Sequence, residues 1–228
     1  MCLFSNIKNK NMSRNNKNSS TATIIVLVVL LAASGYFLSK NPAKDSSPNA
    51  NQTTSTNDHH GDSATAAVNS NALNALVGEP LPDIPLSDKE GKNYTAEAFK
   101  GKNTVLFFNE GLMCYPACWN QMAAFGSDAR FNDDQIQAVS VVADSAKDWQ
   151  TAVDKMPQLA RATTMFDTSA NASRQLGLLT TASSMHRGSL PGHTYIVVDK
   201  EGIVRYVFDD PKMAIANDML FSKIAELE

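Results

Sequence analysis

The sequence predicts an α/β domain, a central mixed β-sheet flanked by helices, and three observations predict it. Two short, solidly apolar runs, residues 104–108 (TVLFF) and 136–144 (IQAVSVVAD), have the composition of strands buried on both faces. Each is followed by a stretch whose apolar residues recur at helical spacing. Near the carboxyl end, two β-rich runs flank Asp199-Lys200-Glu201-Gly202, a tight-turn sequence with its glycine in place. Strand and helix alternate first, then a hairpin and a helix close the chain. That order builds a layered sheet with mixed strand directions.

The amino-terminal third predicts no domain. Residues 1–20 carry Lys8, Lys10, Arg14 and Lys17 and no acidic residue. Residues 21–38 (TATIIVLVVLLAASGYFL) carry no charge and are just long enough to span a bilayer as a helix. Basic residues before an apolar span stay cytoplasmic, so the chain is read as a single-pass signal-anchor protein of the cell membrane with its carboxyl-terminal domain extracytoplasmic. The alternative is a cleaved signal peptide, with LAASG as the cutting site. Cys2 would lie on the cytoplasmic side, where a lone cysteine is usually without a role. Residues 39–72 are Ser, Thr, Asn, Ala, Pro and Asp with hardly a large apolar side chain, the composition of a disordered tether. His59 and His60 fall in it and read as polar tether residues, with weak metal capture as the alternative.

The folded domain is placed at residues 73–228. Its elements follow in order. Residues 104–108 form a central strand. Residues 118–131 carry Trp119, Met122, Ala123 and Phe125 at helical spacing. Residues 136–144 form the second strand, and residues 145–156 a helix capped by Ser145 and ended before Pro157. Residues 163–167 (TTMFD) make a third strand, and residues 168–178 a short helix with Gly177 at its end. The hairpin spans residues 193–208, and residues 213–227 close the chain as an amphipathic helix. In 228 residues the charges nearly balance, at a net −3, and no folded stretch is strongly basic. That gives no reason to expect nucleic acid as a partner.

Three cysteines are too few for a disulfide scaffold, yet Cys114 and Cys118 lie four residues apart where a strand hands over to a helix. Such a junction lies at the carboxyl edge of the sheet, where open α/β sheets place their chemistry. Backbone N–H groups at a helix start stabilise a thiolate, which makes it a better nucleophile and soft-metal ligand. Cα atoms at i and i+4 on a helix are about 6 Å apart, within disulfide range. The pair therefore suits reversible oxidation, although a static clip on the helix start remains an alternative reading.

Residues 77–122 resemble the opening of the redoxin branch of the thioredoxin superfamily, which includes the AhpC/TSA peroxiredoxins and membrane-tethered thiol–disulfide proteins. Gly78, Pro80, Pro82, Leu86, Asp88 and Gly91 match its lead-in, Val105 to Phe108 its strand, and HTYIVVDKEGIVRYVF its late hairpin. The resemblance covers about residues 77–210 and implies a thioredoxin-like fold. It implies an oxidoreductase whose attacking cysteine is Cys114 and whose resolving cysteine is Cys118. Its partners would be protein thiols or disulfides, or a hydroperoxide, with a separate reductant to reset the pair and no cofactor. The chain departs from the family at three places. The cysteines stand one residue further apart than in thioredoxin-like reductases. Gly111 lies three residues before Cys114, and Tyr115 three before Cys118, where peroxiredoxins carry Thr or Ser. His193 stands near the position of the peroxiredoxin arginine.

Cys-x-x-x-Cys with a later histidine is also similar to Sco-type copper chaperones, which implies a copper site made of Cys114, Cys118 and His193. A redoxin domain that only binds a partner is a further alternative. His193 reads as an acid or base near the thiolate or as a polar residue at a strand start. Trp119 reads as core, Glu110 as a solvated loop carboxylate and Pro116 as a loop stiffener. Pro191 is a candidate cis proline beside the cysteines. His186 and Arg187 lie in a polar loop that would line the substrate edge or merely connect.

Overall fold

A computed structural model describes residues 71–227 of the chain. The basic tail, the apolar segment of residues 21–38 and almost all of the tether lie outside the described residues. Among the described residues no helix is long and apolar enough to cross a membrane.

The sheet has seven strands in the order β2-β1-β5-β4-β3-β6-β7. They are β1 (Leu86–Ser87), β2 (Asn93–Tyr94), β3 (Asn103–Asn109), β4 (Ile136–Val142), β5 (Thr163–Phe166), β6 (Thr194–Val198) and β7 (Val204–Asp209). β3, β4 and β5 run parallel, while β6 and β7 are antiparallel, so the sheet is mixed as the sequence predicts. The helices are α1 (Asn71–Asn74), α2 (Ala117–Ser127), α3 (Ala146–Lys155), α4 (Asn171–Gln175) and α5 (Asn217–Ala225).

The apolar run of β3 divides between two cores because successive side chains alternate across a strand. Val105 and Phe107 join the core with α2, α3 and α5, which holds Met122, Phe125, Trp149 and Leu220. Leu106 and Phe108 join the core on the opposite face, with Ile84, Leu86, Phe99 and Leu176. All four are fully buried, so β3 is the axis of the domain.

Several expected elements are shorter than the sequence suggests. The helix expected over residues 118–131 stops at Ser127, and Ala129–Phe131 form a 3-10 turn whose entry is capped by Asp128, accepting from the Arg130 N–H. The helix of residues 168–178 shrinks to Asn171–Gln175, because Ser169 and Ala170 adopt left-handed φ of 73° and 51°. The last helix begins at Asn217 rather than 213, since Met213 has a left-handed φ of 50°. The hairpin of β1 and β2 was not expected, as two-residue strands carry no periodicity. The Ser145 cap and the Asp199–Gly202 turn form as expected.

Candidate active site

The site grows from the carboxyl end of β3. Asn109 closes the strand with its side chain, donating to the carbonyl of Val141 at 3.3 Å and accepting from the Gly111 N–H at 2.9 Å. Gly111–Cys114 then form one 3-10 turn. Leu112 N–H donates to Oδ2 of Asp144 at 2.8 Å, and burial raises the Asp144 carboxyl above its ordinary pKa. Gly111, at φ 61°, lies so near Asp144 that a Cβ would overlap its carboxylate. The loop therefore needs glycine where the peroxiredoxins named above carry Thr or Ser three residues before the cysteine.

Glu110 overturns its expectation. It is buried at 2% exposure rather than solvated. Its Oε1 accepts the N–H groups of Met185 at 2.7 Å and His186 at 3.0 Å, and Oε2 meets His186 Nδ1 at 2.8 Å. The distant loop of Met185 and His186 supplies these donors, so the carboxylate exchanges water for protein partners. His186 is thus a clamp partner, while Arg187 donates only to the carbonyl of Ala182.

Cys114 and Cys118 are joined as a disulfide with their Cα atoms 5.4 Å apart, although they do not share a helix as the i to i+4 spacing assumes: Cys114 ends the 3-10 turn, Tyr115 is extended and α2 begins at Ala117. Both are buried, but the neighbours of Cys114 are not: Met113 and Tyr115 are 58% and 68% exposed. The pair is therefore approached from the Cys114 side. Trp119 is core, as expected. Its Nε1–H donates to the Gly111 carbonyl at 3.1 Å and its ring meets Trp149 edge-on. A groove of about 660 Å³ beside the loop is lined by Leu112, Tyr115, Trp119, Asn120 and Met156.

The cis peptide bond among the described residues precedes Pro116, not Pro191. At Pro191 the close approach to the neighbouring loop is achieved by Gly192 instead, where a Cβ would collide with Ser183 and Ser184.

His193 is fully brought to the cysteines. It is 1% exposed, with Nδ1 3.4 Å from Cys118 Sγ and Nε2 2.7 Å from the Tyr195 hydroxyl. Burial pushes its pKa down to about 4, so the imidazole is neutral at physiological pH. Burial also raises the Tyr195 phenol above its ordinary value. The Tyr195 O–H donates to Gln121 Oε1 at 3.1 Å. Tyr195 and Gln121 were missed by the sequence reading. Their signals were present: Tyr195 is two residues from His193 on one strand face, and Gln121 is three from Cys118 on one helix face. Cys114, Cys118 and His193 place their ligand atoms within 4.8 Å of one another, a set that suits a soft ion once the thiols are reduced.

The fold and the site together define a thioredoxin-like domain with a disulfide-bonded cysteine pair at the carboxyl edge of its sheet. The chain belongs to the AhpC/TSA family, whose pattern matches residues 77–207. It is 28% identical over 141 residues to the chloroplastic peroxiredoxin Q of Triticum aestivum, covering 58% of each chain. It is also 28% identical over 156 residues to that of Sedum lineare, covering 65% of this chain and 77% of the relative. The chain thus spans little more than half the length of the wheat relative. Among solved structures, a peroxiredoxin-like protein from Aquifex aeolicus matches with a TM-score of 0.55 at 19% identity, over 67% of this chain and 87% of that one. Peroxidoxin BcpB from Mycobacterium tuberculosis matches at 0.54 and 18%, over 67% and 97%. At such identities these structures show the fold.

Proposed function

We propose that this chain is a thiol–disulfide oxidoreductase working through Cys114 and Cys118, held to a membrane by residues 21–38 with its domain outside the cytoplasm. The observation that carries the chemistry is the buried pair at bonding distance with an imidazole against one sulfur. The support for the anchor is the basic residues before an uncharged run.

In the reduced protein the Cys114 thiolate attacks a disulfide RS–SR. A Cys114–S–S–R bond forms and RS⁻ leaves. Cys118 then attacks Cys114, closing the internal disulfide and releasing the second RS⁻, while its own proton passes to the departing thiolate. With a hydroperoxide ROOH, Cys114 becomes a sulfenic acid and ROH leaves. Cys118 then closes the disulfide with loss of water. Two external thiols reset the pair in either case. Disulfide exchange is the main reading, because Gly111 offers no hydroxyl to a bound peroxide and His193 stands where the family's arginine would.

The 4.8 Å cluster of two sulfurs and a ring nitrogen favours a second reading, copper binding by Cys114, Cys118 and His193. One titration separates the two. The chain is equilibrated with glutathione redox buffers while thiol alkylation and tryptophan fluorescence are followed, with and without Cu(I). Reversible two-electron oxidation that copper barely alters supports exchange. A one-to-one copper complex that shields both cysteines from alkylation moves the assignment to copper. A pair that stays oxidised in every buffer leaves only a structural clip.

A further inference from the structure

We propose that Tyr195 and Gln121 are positioning residues that hold His193 in its Nε2–H form, so that its Nδ1 lone pair serves Cys118 and not Cys114. The inference rests on the exchange reading above and assigns the base for its second step.

The Gln121 amide is oriented by groups that have no choice. Gln121 Oε1 lies 2.7 Å from the backbone N–H of Ala216, which can only donate. Gln121 Nε2 lies 2.8 Å from Asn217 Oδ1, and Asn217 Nδ2 lies 3.0 Å from the Asp128 carboxylate, which can only accept. The amide of Gln121 is thus oriented from both sides, with its oxygen toward Tyr195. The phenol has one proton, and the 3.1 Å contact to that oxygen uses it. With the phenol proton on Gln121, a lone pair of the Tyr195 oxygen faces His193 Nε2 at 2.7 Å, and Nε2 carries the hydrogen. In a neutral ring the other nitrogen, Nδ1, is then bare, and it points at Cys118 Sγ from 3.4 Å. Gln121, Tyr195 and His193 are buried, so water does not compete for these contacts.

The chemical consequence concerns the closing step. When Cys118 attacks the Cys114–S–S–R mixed disulfide, the Cys118–Cys114 bond forms and the bond to R breaks. The Cys118 proton moves to Nδ1. The imidazole then yields that proton to the leaving RS⁻. With the opposite tautomer, an N–H would face Cys118 and no lone pair would be available.

The test uses the full chain, reduced, metal-free and labelled with ¹⁵N-histidine. His193 is assigned among the four histidines by the signal lost in His193→Asn. The expected spectrum has a pyridine-type Nδ1 and a pyrrole-type Nε2. The reverse pattern, or an averaged one, overturns the proposal without need of any further variant. Rapid mixing with an aromatic disulfide then follows two releases of chromophoric thiolate, the first from attack by Cys114 and the second from closure by Cys118. Tyr195→Phe and, independently, Gln121→Leu should slow the second release roughly ten- to hundredfold and leave the first unchanged. Equal slowing of both, or of neither, refutes the assignment. A wild-type chain that releases no thiolate at all breaks the exchange reading itself, and the base assignment with it, whereas a wrong tautomer in an active chain breaks only the assignment.

Discussion

Acidic residues fold both edges of this sheet, but over different reaches. At the edge where β3 and β4 begin, Asp133 accepts the N–H groups of Gln135 and Ile136, each at 2.7 Å. Asp199 does the same for Glu201 at 3.0 Å and Ile203 at 2.8 Å. Each caps a turn to which it belongs. At the edge where β3 and β4 end, Glu110 reaches 75 and 76 residues along the chain, Asp144 reaches 32 back to Leu112, and Asp209 reaches 26 back to Ser183. The first edge is stitched locally; the second has local caps too, at Asp167 and Asp210, and is stitched across the fold as well. The cysteines sit at the second. A redox pair must keep its geometry while a bond between its halves opens and closes, and long-range bonds fix the loop independently of that bond.

The comparison breaks most visibly at Glu110. Glu110→Ala removes a buried acceptor from two backbone N–H groups and an imidazole, and leaves a cavity where the 2%-exposed carboxylate sat. The expected loss is about 2–4 kcal/mol of stability in urea unfolding. Hydrogen exchange at the Met185 and His186 amides should accelerate ahead of the rest of the domain. Unchanged protection at those two amides would show that the loop holds itself and that the long-range stitch is incidental.

The same edge should also carry a sensitivity between pH 6.5 and 4 that the other lacks. The folded pKa of His193 is held at about 4 by burial, against about 6.5 in an unfolded chain. Between these values the unfolded chain binds a proton that the folded one refuses, so stability falls as pH drops from 6.5 to 4 and levels off below. The full fall for this group, at about 1.4 kcal/mol per pKa unit, is roughly 3–3.5 kcal/mol. Unfolding midpoints measured across that window should show it in the wild type and lose it in His193→Asn. A wild type whose stability is flat over that window would mean that the imidazole is wetter than its 1% exposure implies.

The difference between the edges also explains what the sequence disclosed. The Asp199–Gly202 turn and the Ser145 cap are written within a few residues, so their chemistry is visible in any short window. The strand alternation that splits Phe107 from Phe108 is likewise local. Glu110 looked like a solvated loop residue because its partners lie in a segment that no window joins to it. His193 was legible as a candidate, but the Tyr195–Gln121 relay behind it needs β6 and α2 to be packed together first. Left-handed Ser169, Ala170 and Met213 shortened two helices for the same reason, since tertiary packing and not propensity set those positions.

The smallest effect is expected at Asp133, and it is the sharpest check on the contrast. Asp133→Ala deletes two hydrogen bonds, but the Gln135 side of that turn is exposed and water can take them over. The expected loss is about 0.5–1.5 kcal/mol. Those backbone donors lower the carboxyl pKa of Asp133. Its contribution is therefore full above the unfolded value near 3.9 and fades as pH falls below it. At neutral pH the variant should be slightly less stable, and the gap should close in acid. Both thiolate releases should keep their wild-type rates, because Asp133 lies at the opposite end of β4 from Val142 and Asp144. A slowed second release in Asp133→Ala would mean that β4 transmits strain along its length to the Asp144 contact. The two edges would then be one mechanical unit, and the division between local and long-range stitching would describe their bonds but not their behaviour.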